Sequence, residues 1–366
     1  MIKEINNQRV NSVVIGAGQS GLAAAYYLKK NNLDFIIIDE GIKVGDSWRL
    51  RWDSLRLFTP SQHDSLPGLP FPAVKGSLPT KEEMADYLAA YQIKFSLPVQ
   101  LKTKVIELNK NSKGYEIVTT NGKIHTENVI VATGTNPNAY IPAFASDLDK
   151  NIVQIHSSKY KNPQSFPALN TLVVGAGTSG VEIAIELSKS RPTMISGRGT
   201  PHIPDLVFRF AGKLYWWFAH NILTKRTPVG RKVRPKIITG GAPLISVSMK
   251  NVKEAGVEQL PRLKGVQQGQ PLLDDGRILS VASIIWATGY KPDFSWIKLN
   301  VTDNTGWPMT DRGICGKFKG LYFVGMIFQF SLTSGLVGGV GRDAAFVVNH
   351  IIKSKASIKN SSRSNV

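Results

Sequence analysis

The sequence predicts an α/β fold in which one strand–turn–helix unit occurs twice, the second copy lodged inside the domain that the first begins. Three observations carry this expectation. Val13-Val14-Ile15 runs into Gly16-Ala17-Gly18-Gln19-Ser20-Gly21 and then into the helix-like stretch Leu22–Lys30. Far downstream, Leu172-Val173-Val174 runs into Gly175-Ala176-Gly177-Thr178-Ser179-Gly180 and then Val181–Lys189. A second element also repeats: apolar runs end in Ala132-Thr133-Gly134 and again in Ala287-Thr288-Gly289. An apolar run, a G-x-G-x-x-G turn and a helix form the dinucleotide fingerprint in its required context, and the doubling makes it specific. The class is therefore α/β with two Rossmann-like dinucleotide-binding domains, the second inserted into the first.

Each glycine has a reason. The first permits the tight turn, the second lets the backbone approach a pyrophosphate, and the third allows close helix–strand contact. The helix N-terminus then offers free N–H groups and a positive dipole end to the phosphates. The small residues of 132–134 and 287–289 let the backbone come near a cofactor or cross between domains. The next strand in each copy separates the two sites. Phe35-Ile36-Ile37-Ile38 ends in Asp39-Glu40, where a carboxylate accepts hydrogen bonds from a ribose and repels a 2′-phosphate. Thr193-Met194-Ile195 ends in Ser196-Gly197-Arg198, and Arg198 stands as far beyond Gly175 as Asp39 does beyond Gly16. A guanidinium with a serine hydroxyl suits a 2′-phosphate. The first cradle thus reads as one for FAD and the second as one for NADPH.

Along the chain, residues 1–9 are polar and expected to be frayed. Thr59 to Pro79 is rich in proline and too broken for regular elements. Thr80, with Glu83 three residues on, marks a capped helix start running to about Phe95. Leu101–Leu108, Tyr115–Thr120 and Lys123–His125 read as strands, with Asn121-Gly122 as a hairpin turn. Asn136–Pro142 begins a connection to the second unit. The division is 1–160 and 288–366 for the FAD-binding domain and 161–287 for the NADPH-binding domain. Within the latter, about 205–240 stands apart. Phe208, Phe210, Tyr215, Trp216, Trp217 and Phe218 cluster there, and eight cations face one acid, Asp205. A lid packing its aromatics over the active site, a membrane-surface helix and a single-stranded nucleic-acid platform all fit that composition. No nucleic-acid fold accompanies the charge, so nucleic acid is not expected as a partner. The Lys- and Ser-rich tail after His350 is expected to be mobile.

Composition excludes several classes. At 42% hydrophobic and 19% charged residues the chain can bury cores and is not a disordered polymer. A single cysteine, Cys315, rules out an internal disulfide, a structural zinc site and a dithiol relay. Six histidines lack paired spacing, so no metal is expected. The balance of 45 Lys+Arg against 26 Asp+Glu, +19 overall, calls for an anionic partner such as a phosphorylated cofactor or a membrane surface. No apolar run reaches the roughly 18–20 residues of a membrane span, and Met1-Ile2-Lys3-Glu4-Ile5 lacks a signal-peptide core. A cytoplasmic protein is expected.

Together these residues resemble the class B flavoprotein monooxygenases, specifically the flavin-containing monooxygenase-like family, over roughly residues 10–350. The carriers are the two glycine turns, Gly45-Asp46-Ser47-Trp48, Trp52-Asp53-Ser54-Leu55-Arg56-Leu57 and Ala132-Thr133-Gly134. Ala287-Thr288-Gly289-Tyr290 and the closing Gly320-Leu321-Tyr322-Phe323-Val324-Gly325 complete the set. The resemblance implies that Asp39 or Glu40 holds the FAD ribose and that Ser47, Trp48 and Arg49 border the flavin. It further implies that the Val105 backbone meets the adenine, and that the Gly325 turn with Gln329–Leu332 closes over the isoalloxazine edge. The family's fingerprint, F-x-G-x-x-x-H-x-x-x-(Y/F/W), is matched on its right by His156 and Tyr160. On its left it departs, with Lys150 for Phe and Ile152 for Gly; Pro60 stands near where animal members carry an active-site asparagine. Tyr160 in place of Trp favours heteroatom oxygenation. His156 and Tyr160 are the catalytic candidates, His156 reading more readily as a satisfied histidine at the domain junction.

The implied activity is an NADPH-dependent, FAD-containing monooxygenase. It would form a flavin C4a-hydroperoxide and oxygenate a small molecule at a nitrogen, sulfur or carbonyl centre, with O2 as co-substrate. An NADPH oxidase or reductase of the same fold, passing electrons to O2 or a protein acceptor, stays open, as does a membrane-associated flavin sensor. So do a homodimer and a peripheral membrane contact through 205–240.

Overall fold

The computed structural model describes residues 5–135, 138–167 and 169–363. In chain order the first unit runs β1 (Ile5–Ile15), α1 (Gln19–Lys30), β2 (Phe35–Ile38), the short α2 (Asp46–Arg49) and α3 (Lys81–Lys94). It continues with β3 (Val99–Gln100), β4 (Val105–Asn111), β5 (Gly114–Thr119) and β6 (Gly122–Val131). β7 (Asn138–Ala139) then leads to β8 (Val153–His156), β9 (Thr171–Val174), α4 (Thr178–Ser188) and β10 (Thr193–Ser196). α5 (Asp205–Asn221), α6 (Pro228–Gly240) and the short α7 (Met249–Glu254) follow. After them come β11 (Glu258–Leu260), β12 (Leu263–Gln267), β13 (Gln270–Leu273) and β14 (Ser283–Trp286). β15 (Tyr290–Lys291), β16 (Leu321–Phe323) and α8 (Val340–Arg363) return the chain to its first unit.

The central strands are short apolar runs because both faces of a parallel sheet are covered. All four residues of β9 and all four of β14 are buried. On α1, Ala23, Ala24 and Ala25 are all buried, and the helix packs against α8. At the start of α3 the Thr80 hydroxyl accepts from the Glu83 N–H at 3.1 Å, and the Glu83 carboxylate accepts from the Thr80 N–H at 2.7 Å. These bonds satisfy two otherwise orphan donors.

The two sheets share one plan. The first has the order β3-β2-β1-β6-β5-β4, with β16 also paired to β6. The second is β11-β10-β9-β14-β8. The parallel cores β3-β2-β1-β6-β16 and β11-β10-β9-β14-β8 therefore correspond strand for strand, except that the fifth strand is the last of its unit in one and the first in the other. This is how one unit lodges within another: the chain leaves through β6, enters as β8, leaves through β14 and returns as β16. The two connections run side by side, β7 pairing antiparallel with β15 at Ala139↔Tyr290 and Asn138↔Lys291. A cluster around α1, α3 and α8 covers one face of the first sheet, and Phe294, Ile297 and Val301 join the other.

Several expectations need correction. β8 precedes residue 161 yet pairs with β14 through Val153↔Ser283 to His156↔Trp286, so the second unit begins before residue 153. Only the pairing itself, made with a strand far along the chain, reveals this. β1 starts at Ile5 rather than after residue 9, because its backbone pairs with β6 down to Ile5↔Gly122. Lys123–His125 and Val129–Val131 form one strand, β6, and the hairpin turn is Thr120-Asn121, since Thr119 pairs with Gly122. The tail beyond His350 continues as helix to Arg363. Asn136 and Pro137, within the expected connection, lie outside the described residues.

Candidate cofactor and active site

The two glycine turns have the same geometry. Gly16 and Gly175 adopt φ of +105° and +108°, which only glycine takes without strain. A Cβ on Gly16 would fall 2.6 Å from the Ala132 oxygen; one on Gly175 would fall 2.3 Å from the Ala287 oxygen. The repeated Ala-Thr-Gly segments are thus the floor against which the first glycines are pressed. The third glycines meet their own turns, with a Cβ on Gly21 1.9 Å from the Gly16 oxygen and one on Gly180 1.8 Å from the Gly175 oxygen.

The second glycines differ. Gly18 and Gly177 have φ of −74° and −80°, open to any residue, and a Cβ on either would meet nothing within 4 Å. Neither conformation nor packing calls for glycine there, so its absence of side chain keeps space in front of the turn. That space faces the first turns of α1 and α4, which start at Gln19-Ser20-Gly21 and Thr178-Ser179-Gly180 with no side-chain cap. Unsatisfied N–H groups beside reserved space are what a pyrophosphate needs, and the residues present fit both dinucleotides.

At the first cradle the structure separates Asp39 from Glu40. Asp39 is half-buried, its two carboxylate oxygens accepting from the N–H groups of Ala17 at 2.6 Å and Gly41 at 2.7 Å. Glu40 points to solvent, 3.8 Å from Lys104 Nζ. Thr103 donates its N–H to the Asp39 carbonyl, which sets Val105 two residues from the same rim. At the second cradle Ser196 is buried and its hydroxyl donates to the Pro261 carbonyl at 2.7 Å. Its one proton is spent, so the expected serine contribution to a 2′-phosphate falls away. Arg198 is exposed, directly after Gly197 at φ +133°. Beyond it opens a cleft of about 410 Å³ lined by Thr200, His202, Ser248, Met249, Lys250, Asn251 and Glu254. Sequence reading missed this cleft, since its two walls come from well-separated parts of the chain.

The residues expected at the flavin edge divide between rim and frame. In α2 Ser47 is exposed and Trp48 half-buried, its indole N–H directed at Gln19 Oε1 at 3.4 Å. Arg49 is engaged by the Val44 carbonyl at 2.7 Å and Asp86 at 2.8 Å, so it frames the loop. Gly325, at φ +83°, seats the last turn on α1, where a Cβ would lie 2.1 Å from Ser20 Oγ. Gln329 is buried. Its amide donates to the Phe323 carbonyl at 3.0 Å and accepts from the Met326 N–H at 3.2 Å, stitching that turn shut. The Leu332 N–H donates to the Leu223 carbonyl at 3.0 Å, tying this loop to the end of α5.

His156 and Tyr160 lie at the junction. His156 Nδ1 accepts from the Ser158 N–H at 3.1 Å, which leaves Nε2 to carry the proton donated to the Gly289 carbonyl at 3.0 Å. Burial holds its pKa below the usual histidine range. Tyr160 is buried and donates to Glu186 at 2.8 Å; burial and that carboxylate push its phenol up. Both side chains are thus satisfied within the chain. Beside them Lys81, buried, donates to the Arg51 carbonyl at 2.9 Å and Asp53 at 3.0 Å, while Asn162 donates to Asp53 at 2.7 Å. Trp52 is buried in the core of the second sheet.

Residues 13–199 match the family described as pyridine nucleotide-disulphide oxidoreductase. The uncharacterized CzcO-like oxidoreductase of Geobacillus kaustophilus is 40% identical over 347 residues, covering 94% of this chain and 98% of that protein. The probable indole-3-pyruvate monooxygenase YUCCA9 of Arabidopsis thaliana is 26% identical, covering 86% and 83%. Among solved structures the flavin-containing monooxygenase from Stenotrophomonas maltophilia superposes with a TM-score of 0.79 at 27% identity, over 95% of this chain and 99% of that one.

Proposed function

The chain belongs to the pyridine nucleotide-disulphide oxidoreductase family, and on that premise we propose that it is an NADPH-dependent monooxygenase of a small molecule bearing an oxidisable nitrogen, sulfur or carbonyl centre. It is an oxidoreductase of flavin-monooxygenase type, with FAD and NADPH as its cofactors. The dithiol relay of the family's name cannot form within it, because Cys315 is the only cysteine and is buried.

The observation that carries the reading is the pair of second glycines, Gly18 and Gly177, held in ordinary backbone conformations with empty space where a side chain would stand. In this assignment Gly16, Gly18, Gln19, Ser20 and Gly21 hold the FAD pyrophosphate, and Asp39 its ribose. Gly175, Gly177, Thr178, Ser179 and Gly180 hold the pyrophosphate of NADPH, and Arg198 its 2′-phosphate. FAD held in the first cradle would supply the redox chemistry that couples NADPH and dioxygen to oxygenation of the substrate, the second oxygen atom leaving as water. The chain's own part is to position and to exclude water. His156 fixes the carbonyl of Gly289 at the edge of the second cradle. Gln329 closes the 323–326 turn over α1, and Trp48 leans on Gln19 at the entrance. Neither His156 nor Tyr160 is assigned a proton-transfer role, since each already spends its polar atoms inside the chain.

The departure at Lys150 and Ile152 supports a second reading, an NADPH oxidase or reductase of the same fold. The test is the ratio of NADPH consumed to hydrogen peroxide released, across panels of sulfides, amines and ketones. A monooxygenase lowers the peroxide yield in the presence of its substrate class and forms oxygenated product. Peroxide release near one-to-one with every compound would overturn the proposal and leave the oxidase.

A further inference from the structure

We infer that the outer face of α5 is a docking surface for anionic lipid, a role that goes beyond the reaction and does not rest on it. α5 is apolar on two faces, whereas a surface helix of a globular protein carries one apolar stripe. Its inner face is fully used. Trp216, Ala219 and the following Leu223 are buried, Phe208 and Tyr215 meet edge-on at 5.1 Å, and Trp216 lies 5.3 Å from the His63 ring. Its end is fastened as well. His220 Nδ1 bonds the Thr333 hydroxyl at 2.8 Å, Arg342 donates to the His220 carbonyl at 2.7 Å, and Lys225 donates its N–H to the Phe330 carbonyl at 2.8 Å. The outer face therefore cannot be buried by rolling the helix inward.

That face carries Leu206, Leu214, Trp217 and Phe218, exposed by 65, 64, 54 and 38%, together with Phe210 at 74%. α5 kinks at Ala211, with Leu206 and Phe210 exposed before the kink and Leu214, Trp217 and Phe218 after it, where the three recur at helical spacing as a ridge beside the exposed Lys213. A contiguous exposed apolar patch marks an interaction site. The charge says which kind. Asp205–Gly240 holds eight cations and one acid, and Arg231, Lys232 and Lys236 on α6 are exposed. A second copy of this chain would bring like charge against like. A fluid bilayer moulds around protruding side chains such as Leu214 and Trp217. Aromatic and leucine side chains then enter the headgroup boundary while lysine stems reach back to anionic phosphates. No described helix is long and apolar enough to cross a membrane, so the contact lies along the surface.

The experiment sediments the FAD-loaded full chain with phosphatidylglycerol–phosphatidylcholine vesicles and with pure phosphatidylcholine vesicles, at ~0.1 M salt. Binding to the anionic vesicles is expected to be at least ~10-fold tighter. Leu214→Glu/Trp217→Glu is expected to lower it at least ~10-fold without changing flavin content, since both side chains already face water. Lys213→Gln/Arg231→Gln/Lys232→Gln, which leaves the apolar ridge intact, should remove the preference for anionic lipid. Wild-type protein that stays in the supernatant with both vesicle types overturns the inference. So does vesicle binding untouched by both variants. A dimer that the glutamate variant dissolves while vesicle binding persists would assign the face to a second copy instead.

Discussion

At the scale of the residue, the second cradle shows what a sequence can and cannot say about a side chain. The place of Arg198 is legible because its register is local, a fixed distance from Gly175 along a turn, a helix and a strand; its role at a 2′-phosphate is the proposal to be tested. Ser196 was misread because its partner, the carbonyl of Pro261, is remote in the chain and meets it only when β10 and β11 pair. The two positions therefore have opposite expected outcomes. Arg198→Ala should raise the KM for NADPH by about 10- to 100-fold, from a charge-assisted hydrogen bond worth about 1.5–3 kcal/mol, and leave the KM for NADH nearly unchanged. Ser196→Ala should leave the NADPH-to-NADH preference untouched and cost about 1 kcal/mol of stability for the buried bond. Steady-state kinetics with both nucleotides decides the pair. A preference that survives Arg198→Ala would remove that residue from the 2′-phosphate. His156 belongs to the same lesson: a motif gave its position, and the tautomer came only from Ser158 and Gly289.

At the scale of the element, short-range chemistry was readable and long-range pairing was not. The capping box of α3 and both glycine turns declare themselves within a few residues. The membership of β8 and the true start of β1 depend on partners in distant parts of the chain. The three glycines of each turn, given distinct roles by the motif, also separate physically in the structure, and this is testable. Gly18→Ala should fold normally, because φ of −74° suits alanine and its methyl meets no atom, yet weaken FAD at least ~10-fold by filling the reserved space. Gly16→Ala should instead destabilise the protein, by about 1–3 kcal/mol of backbone strain before the contact with the Ala132 oxygen is counted. Urea unfolding of the flavin-free proteins reads the stability, and flavin absorbance after reconstitution reads the binding. Equal flavin affinity for Gly18→Ala and wild type would mean that the open space serves no phosphate.

At the scale of the whole molecule, the question is how two sheets of one plan act as one enzyme. The chain crosses between them twice, through β7 and β15, and a two-residue ribbon is a weak link by itself. Two further ties brace it: the end of α5 is bonded to the 330–342 stretch, and the 51–53 segment, which belongs to the first unit, anchors in the second. Arg51 reaches the Tyr290 hydroxyl at 3.3 Å, Asp53 is bound by Lys81 and Asn162, and Trp52 lies among Tyr160, Phe166 and Val181. The sequence presented Trp52-Asp53-Ser54 only as a motif of resemblance; its work as a bolt depends on the second core being assembled around it. If the bolt couples the units, wild-type protein unfolds in one transition, with flavin release and loss of helix coinciding. Trp52→Ala removes a large buried ring from the core of the second sheet at a cost of about 3–5 kcal/mol, which weakens that sheet and its hold on the first unit. Its unfolding is then expected to split into two transitions, flavin release tracking only one of them. A single coincident transition, merely shifted to lower denaturant, would mean that the bonds between α5 and the 330–342 stretch hold the units together without this segment.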